Sequence, residues 1–390
     1  MHVIHVCAYY APAYTYGGPI RSLHALCRAQ QAHGLNVEVF TTTAAGTGRL
    51  APAPAGVEFE GVPVRYFELS PPALLLGAAD LGAALSSSLT GADIVHLHGL
   101  FNRTIWDAAA RAQKAARPYV LSPRGMLEAP ALAHHRWRKR MAWQLKDRSI
   151  VRHAAVLHAT SSSERATLEG ARLDGRVVQI PNPVASADAS NGADNEFRAS
   201  RGIAADAPIV LSLGRLHQIK RLDLVAASFL TLWREMPSVQ LVIAGPDEQQ
   251  LRPQLEAQLA PAARAVHWLG AVDGPMKEAV LAAATVLVQC SDSESFGMSV
   301  AEALASSTPV VVTRTCPWEV VETARCGFWV EQSVASISAA LRSIVTNPAL
   351  AREQGSAGQR LIRDRFSPEI IADAWGAVYR ETAYASPAAA

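Results

Sequence analysis

The chain has 390 residues, 49% of them hydrophobic and 18% charged, with 36 Lys and Arg against 34 Asp and Glu for a net charge of +2. At roughly 100–200 residues per domain this makes room for two domains with sizeable cores, and the composition excludes a disordered chain. The even charge supplies no global field to hold a nucleic-acid duplex, so no nucleic-acid partner is expected, and the longest apolar runs, 74–79 and 279–288, fall well short of the ~20 residues that span a bilayer.

The opening residues, 1–10, place His2 and His5 among apolar residues in alternation, which suits a strand. They lack the basic segment and long apolar stretch of a secretory signal, and a cytoplasmic protein is expected. In chain order, short β-branched runs predict strands at 3–7, 37–41, 94–98, 119–122, 156–160 and 177–180, then at 209–213, 240–244, 266–269, 285–290 and 309–312. Helical segments such as 222–234 separate them, so the fold class is α/β, with parallel βαβ units in two Rossmann-like domains facing across a cleft. Residues 184–195, rich in Ala, Ser, Asp, Asn and Gly, read as the linker, which gives domains at 1–183 and 184–366. A last helix, 367–384, carries Ile371, Trp375, Val378 and Tyr379 on one face and is expected to pack back on the first domain. The Ala, Ser and Pro tail after it is expected to fray. The cysteines, Cys7, Cys27, Cys290, Cys316 and Cys326, form an odd set without a C-x-x-C pair and read as reduced core residues.

The strongest chemical signal is the stretch from Ser291 to Leu304, which contains Glu294, Phe296, Gly297, Met298, Ser299 and Glu302 and directly follows a predicted strand. Ser295 or a neighbour is expected to cap a helix here, so that backbone N–H groups near Gly297 and Met298 can hold an anion such as a diphosphate. Glu294 before the helix and Glu302 in its second turn can then accept hydroxyl hydrogen bonds on either side of the phosphates. They can equally be a dipole partner and a surface residue. The second signal, 213–221, follows another strand. Gly214 allows close backbone approach, while Arg215 and Lys220 offer a planar fork and a compact charge that can neutralise a leaving diphosphate without a metal. A solvated basic loop is the plain alternative.

Taken in order, Gly214-Arg215-x4-Lys220, Ala244-Gly245-Pro246, Leu269-Gly270, Glu294-x7-Glu302 and Pro309-Val310-Val311 resemble a retaining glycosyltransferase of the GT-B fold, family 4, over nearly the whole chain. The resemblance implies that Arg215 and Lys220 bind the donor diphosphate, Glu294 contacts the transferred sugar and Glu302 holds the ribose hydroxyls. It sets the amides and side chains of Phe296, Gly297, Met298 and Ser299 against phosphate and sugar. It also implies catalytic roles for Glu294, His98, Arg215 and Lys220, with His98 near the donor sugar, and an acceptor side formed by Gly17, Gly18 and Arg124. Many members carry His where this chain has Arg124, which suggests an anionic group nearby. No cofactor or metal is expected. The Ser122-Pro123-Arg124-Gly125-Met126-Leu127 stretch is similar to transferases of bacterial exopolysaccharide, capsule or O-antigen assembly, which implies a nucleotide-sugar donor and a sugar or lipid-linked acceptor. A catalytically silent nucleotide-sugar-binding subunit is the alternative.

Tyr16-Gly17-Gly18-Pro19 reads as a strand-to-helix turn without a dinucleotide fingerprint, and Ser161 with Glu164 reads as a capping box. Residues 134–148 hold six basic side chains, Arg136, Arg138, Lys139, Arg140, Lys146 and Arg148, against the acid Asp147, with Trp137, Met141 and Leu145 at helical spacing. This segment fits either a surface for anionic membrane at the inner face or a core-facing stripe with a solvated basic back.

Overall fold

The β-branched runs form the strands of two separate parallel sheets in the computed structural model, which describes residues 1–14, 17–46, 48–50, 56–133, 136–171, 175–186 and 192–384. The chain divides into one unit of Met1–Pro183 with Pro368–Ala390 and a second of Val184–Ser367.

The first unit holds an eight-stranded sheet in the order Arg176–Gln179, Val156–Ala159, Tyr119–Ser122, Ile94–His98, His2–Cys7, Asn36–Thr42, Val62–Phe67, Val57–Phe59. All pairings are parallel except the last, a hairpin that the sequence reading missed. Its two-residue turn, Glu60-Gly61, has positive φ at both positions, the geometry that matches strand twist. Helix Arg103–Lys114 begins where the Asn102 side chain accepts from the Ile105 N–H and ends on Arg111 and Lys114, both favourable to the helix dipole. Helix Pro368–Tyr384 buries Ile371, Trp375, Val378 and Tyr379 against Val3, Leu26, Ile94, Val120 and Val156. Each large side chain so buried contributes about 1.5–3 kcal/mol, enough to hold this distant segment on the first unit.

The second unit holds a six-stranded, fully parallel sheet in the order Val266–Gly270, Gln240–Ala244, Ile209–Leu213, Val286–Gln289, Val310–Thr313, Gly327–Val330. Its central strands are apolar at nearly every position because helices cover both faces. Strand Gly327–Val330 was not anticipated. The expected linker is also shorter than 184–195: Ala193–Ser200 is a helix, with Asp194 and Glu196 in its first turn and Phe197 in the core of the second unit. The segment 187–191 within it lies outside the described residues, as does the tail 385–390. All five cysteines are buried free thiols.

In each sheet the strand order reverses once beside a central strand, between His2–Cys7 and Ile94–His98 in the first and between Ile209–Leu213 and Val286–Gln289 in the second. Loops leaving the carboxyl ends of such a pair diverge and open a crevice, the usual ligand position of an α/β sheet.

Candidate active site

In the second unit the loops leaving the switch-point strands carry 214–220 and 291–297, and they bring Lys220 and Glu294 together as an ion pair. Glu294 also accepts from Gln289 Nε2 at 2.6 Å and Ser291 Oγ at 2.7 Å. Ser299 Oγ donates to Gln289 Oε1 at 3.1 Å, which ties the helix start to the same cluster. The loop bearing Arg215 lies flush on its neighbour. A Cβ on Gly245 would fall 1.8 Å from the Gly214 carbonyl oxygen, so only glycine fits there.

Helix Met298–Ala305 is not capped by Ser295, contrary to expectation. Its N-cap is Gly297 at φ 86°, because Trp318 Nε1 donates to the Phe296 carbonyl at 2.5 Å and sits 2.9 Å from the place of a Gly297 Cβ. Phe296 packs in the core with Trp318 and Phe366, so its backbone rather than its ring is what the helix start offers. The remaining expected groups have partners that the sequence reading did not identify. Arg215 pairs with Glu248 at 2.9 Å, and Glu302 pairs with Lys277 at 2.9 Å. Arg215, Lys220 and Lys277 are thus each balanced by a carboxylate, where fixed cations at Arg215 and Lys220 had been expected.

In the first unit Gly17 is the N-cap of helix Gly18–Ala32, with Pro19 in its first turn, while Tyr16 lies outside the described residues. Arg124, at φ 56°, follows strand Tyr119–Ser122 and faces a cavity of about 40 Å³ with Ala8, Pro19, Gly99 and Asn102 among its walls. Its Nη1 donates to Ser22 Oγ at 3.0 Å and Asn182 Oδ1 at 3.2 Å, and its Nη2 to His98 Nδ1 at 3.2 Å. Glu164 joins this region as well as starting its helix. Besides its N–H donating to Ser161 Oγ, its carboxylate accepts from the Gly125 and Thr160 N–H groups.

Behind His98 runs a buried chain of polar groups missed by the sequence reading. Arginine only donates, so His98 accepts at Nδ1 and donates from Nε2 to His5 Nδ1 at 2.9 Å. His5 Nε2 then donates to Gln30 Oε1 at 2.8 Å, and Gln30 Nε2 to the Tyr379 hydroxyl at 3.0 Å. Tyr379 donates to His96 Nδ1 at 2.7 Å, His96 Nε2 to Ser122 Oγ at 2.7 Å, and Ser122 to His158 Nδ1 at 2.6 Å. The chain ends where His158 Nε2 donates to the Ile180 carbonyl at 2.7 Å, an atom that only accepts. A donor at one end and an acceptor at the other fix every direction between, so all four imidazoles are neutral with the proton on Nε2.

Burial pushes their pKa values down, His5 to about 4 and His158 to about 3, with His96 and His98 well below the usual histidine range. His5, His96 and His98 also have the mutual spacing of metal ligands. A cation there would have to break the His5–His98 bond and sit beside the Arg124 guanidinium. Part of a signal did exist in the sequence, since histidines at 96 and 98 alternate along a predicted strand and so share one face, whereas the register that sets His5 opposite His96 emerges only in the fold.

The basic segment lies in the same unit. Among its described residues, Trp137, Met141 and Leu145 are exposed at 68%, 55% and 70%, while Trp143 packs against the core. The stripe therefore does not face the core of its own unit. His134 and His135 lie outside the described residues. Among the described residues no helix is long and apolar enough to cross a membrane.

Residues 17–183 match the glycosyl transferase 4-like domain and residues 193–361 the glycosyl transferases group 1 family. The chain is similar to a D-inositol 3-phosphate glycosyltransferase of Streptomyces avermitilis, 28% identical over 85% of this chain and 76% of that protein. It is similar to an alpha-maltose-1-phosphate synthase of Mycolicibacterium smegmatis, 34% identical but over only 50% of this chain and 53% of that protein. Among solved structures, HepE of Anabaena in complex with UDP and glucose superposes with a TM-score of 0.75 at 18% identity, over 98% of this chain and 100% of that one. WaaG, a glycosyltransferase involved in lipopolysaccharide biosynthesis, gives 0.70 at 17% identity over 95% and 99%. At these identities the superpositions show the shared fold.

Proposed function

The chain is a GT-B glycosyltransferase made of a glycosyl transferase 4-like domain followed by a group 1 domain, and from this premise we propose that it moves a sugar from a nucleoside-diphosphate sugar to a sugar or lipid-linked saccharide with retention of anomeric configuration. The observation that carries the reading is the convergence at the second switch point of Lys220, Glu294 and the start of helix Met298–Ala305. The donor diphosphate would exchange for the carboxylates on Lys220 and Arg215 and take up the first helix N–H groups, so that charge developing on the leaving phosphate meets fixed donors. Removing one such donor typically costs about 10²–10³ in turnover.

Glu294 would stay anchored by Gln289 and Ser291 and accept from a hydroxyl of the transferred sugar, while Glu302 would exchange Lys277 for ribose hydroxyls. With the cations supplying the positive charge, a metal is not required. A leaving phosphate oxygen would take the acceptor proton. The solvent-facing Trp137, Met141 and Leu145 within a basic segment favour work at an anionic membrane surface, in keeping with a lipid-linked acceptor of bacterial surface-polysaccharide assembly.

A thermal-shift panel of nucleoside diphosphates and nucleotide sugars tests the reading. One base should raise the melting temperature of the wild type, and Lys220→Ala and Glu302→Ala should each reduce that shift. A flat response to every nucleotide refutes it, and binding without product formed on any acceptor would instead favour a silent binding subunit.

A further inference from the structure

The Arg124 side chain is half-buried and carries a charge, yet its three hydrogen-bond partners, Ser22, Asn182 and His98, are all uncharged. Among the described residues no carboxylate lies within ion-pair distance of it. The carboxylate whose charge acts on it, Glu164, spends its oxygens on the Gly125 and Thr160 N–H groups and the Thr160 hydroxyl. His98 cannot share or offset the charge, because accepting from Arg124 at Nδ1 keeps it neutral. Of the five N–H groups of the fork, three are used, and those left, on Nε and Nη2, have no acceptor among the described residues.

A cation stripped of much of its water without a counter-ion is disfavoured, and the cost falls when an anion completes the site. Room for one exists: Arg124 borders the cavity at the first switch point, whose volume of about 40 Å³ is roughly that of three water-sized groups, the size of a carboxylate or the oxygen face of a phosphate. The edge formed by Nε and Nη2 is the one arginine uses to grip two oxygens at once.

We propose that Arg124 is a specificity-determining residue that binds an anionic oxygen group, carboxylate or phosphate, carried by the substrate. The proposal rests on the glycosyltransferase reading and narrows it to a transfer in which one sugar is acidic or the acceptor is phosphorylated. The histidine chain behind His98 holds the fork in place without adding a competing charge.

Isothermal titration of the full chain with glucuronate, glycerol 3-phosphate and, as the neutral reference, glucose tests it. One of the two anions should bind at least tenfold more tightly than glucose, and which one identifies the source of the charge. Arg124→Gln should weaken that anion at least tenfold. Arg124→Lys, which keeps the charge and loses the fork, should weaken it severalfold and carries the test if the glutamine variant shows no cooperative melting. Failure of both anions to outbind glucose, or affinity undiminished in the variants, overturns the proposal. UDP and GDP titrated in parallel judge the donor site separately: their binding should survive in Arg124→Gln and fall in Lys220→Ala.

Discussion

Mild acid should destabilise the first unit steeply, because four imidazoles that are neutral when folded become charged when unfolded. Unfolded histidine titrates near pH 6.5, whereas His5 and His158 titrate near 4 and 3 in the fold and His96 and His98 well below the usual range. Below pH 6.5 the unfolded chain therefore binds more protons than the folded one. The stability that neutral burial preserves is complete above that pH and is lost as the pH falls toward 4. Each proton tilts stability by about 1.4 kcal/mol per pH unit, so four give about 5 kcal/mol between pH 7.5 and 5.5, comparable with the roughly 5–15 kcal/mol that holds a domain. Carboxylates titrate mostly below this window and leave it to the histidines. Buried His24 in the same unit, whose pKa burial also lowers, adds in the same direction. Urea titrations at half-unit pH steps from 7.5 to 5.0 give the slope. A slope worth one proton or fewer would falsify the neutral chain, as would imidazole nitrogen spectra showing any of the four rings charged at pH 6.

Other perturbations probe separate parts of the structure. Tyr379→Phe removes the hydroxyl that accepts from Gln30 and donates to His96, and two stranded buried groups should cost about 2–4 kcal/mol in urea unfolding; a loss under 0.5 kcal/mol counts against the chain. Gly245→Ala puts a methyl 1.8 Å from the Gly214 carbonyl, and it should cost about 3 kcal/mol and abolish nucleotide binding by displacing Arg215. Full-length protein should sediment with vesicles containing phosphatidylglycerol and not with phosphatidylcholine alone, and Trp137→Ser with Leu145→Ser should release it; equal binding to both lipids would remove the charge argument. Turnover should persist in excess EDTA, and loss of turnover that magnesium restores would mean that Lys220 and Arg215 do not suffice.

The strands were legible because a strand covered on both faces must be apolar at nearly every position, and a run such as 209–213 or 240–244 meets that demand with few alternatives. The segments 214–220 and 291–297 were legible because each begins where such a strand stops, at the carboxyl end of the sheet. The pairing of Lys277 with Glu302 and of Arg215 with Glu248 was not, since no local rule links residues 25 or 33 apart. The polar chain was hidden for the same reason: it draws on residues 5, 30, 96, 98, 122, 158 and 379, and only strand register and the docking of the last helix bring them together. The stripe at 137, 141 and 145 shows another limit. Helical spacing identifies an apolar face and is silent on what covers it, so core and surface fit the sequence equally and the exposure of Trp137 decides between them.

The two switch points carry charge in opposite ways, and the difference bears on how each would work. In the second unit the cations are paired with carboxylates that are themselves partly accessible, Lys220 and Glu294 at 20% and 13%. Exchanging one anion for another at such a site keeps the charge count constant, so a diphosphate need only outcompete a carboxylate, and Glu294 remains held by Gln289 and Ser291 when Lys220 leaves it. That arrangement suits a ligand that must arrive charged and depart more charged. In the first unit the guanidinium has no carboxylate partner among the described residues, and its hydrogen-bond partners are neutral imidazole, hydroxyl and amide groups. An anion entering there adds a charge that nothing releases, so its binding should respond to Arg124 alone, whereas donor binding should respond to the carboxylates as much as to the cations. Glu294→Gln thus becomes informative: by freeing Lys220 it should tighten a bare nucleoside diphosphate while slowing transfer of the sugar, a split that a merely structural ion pair would not produce.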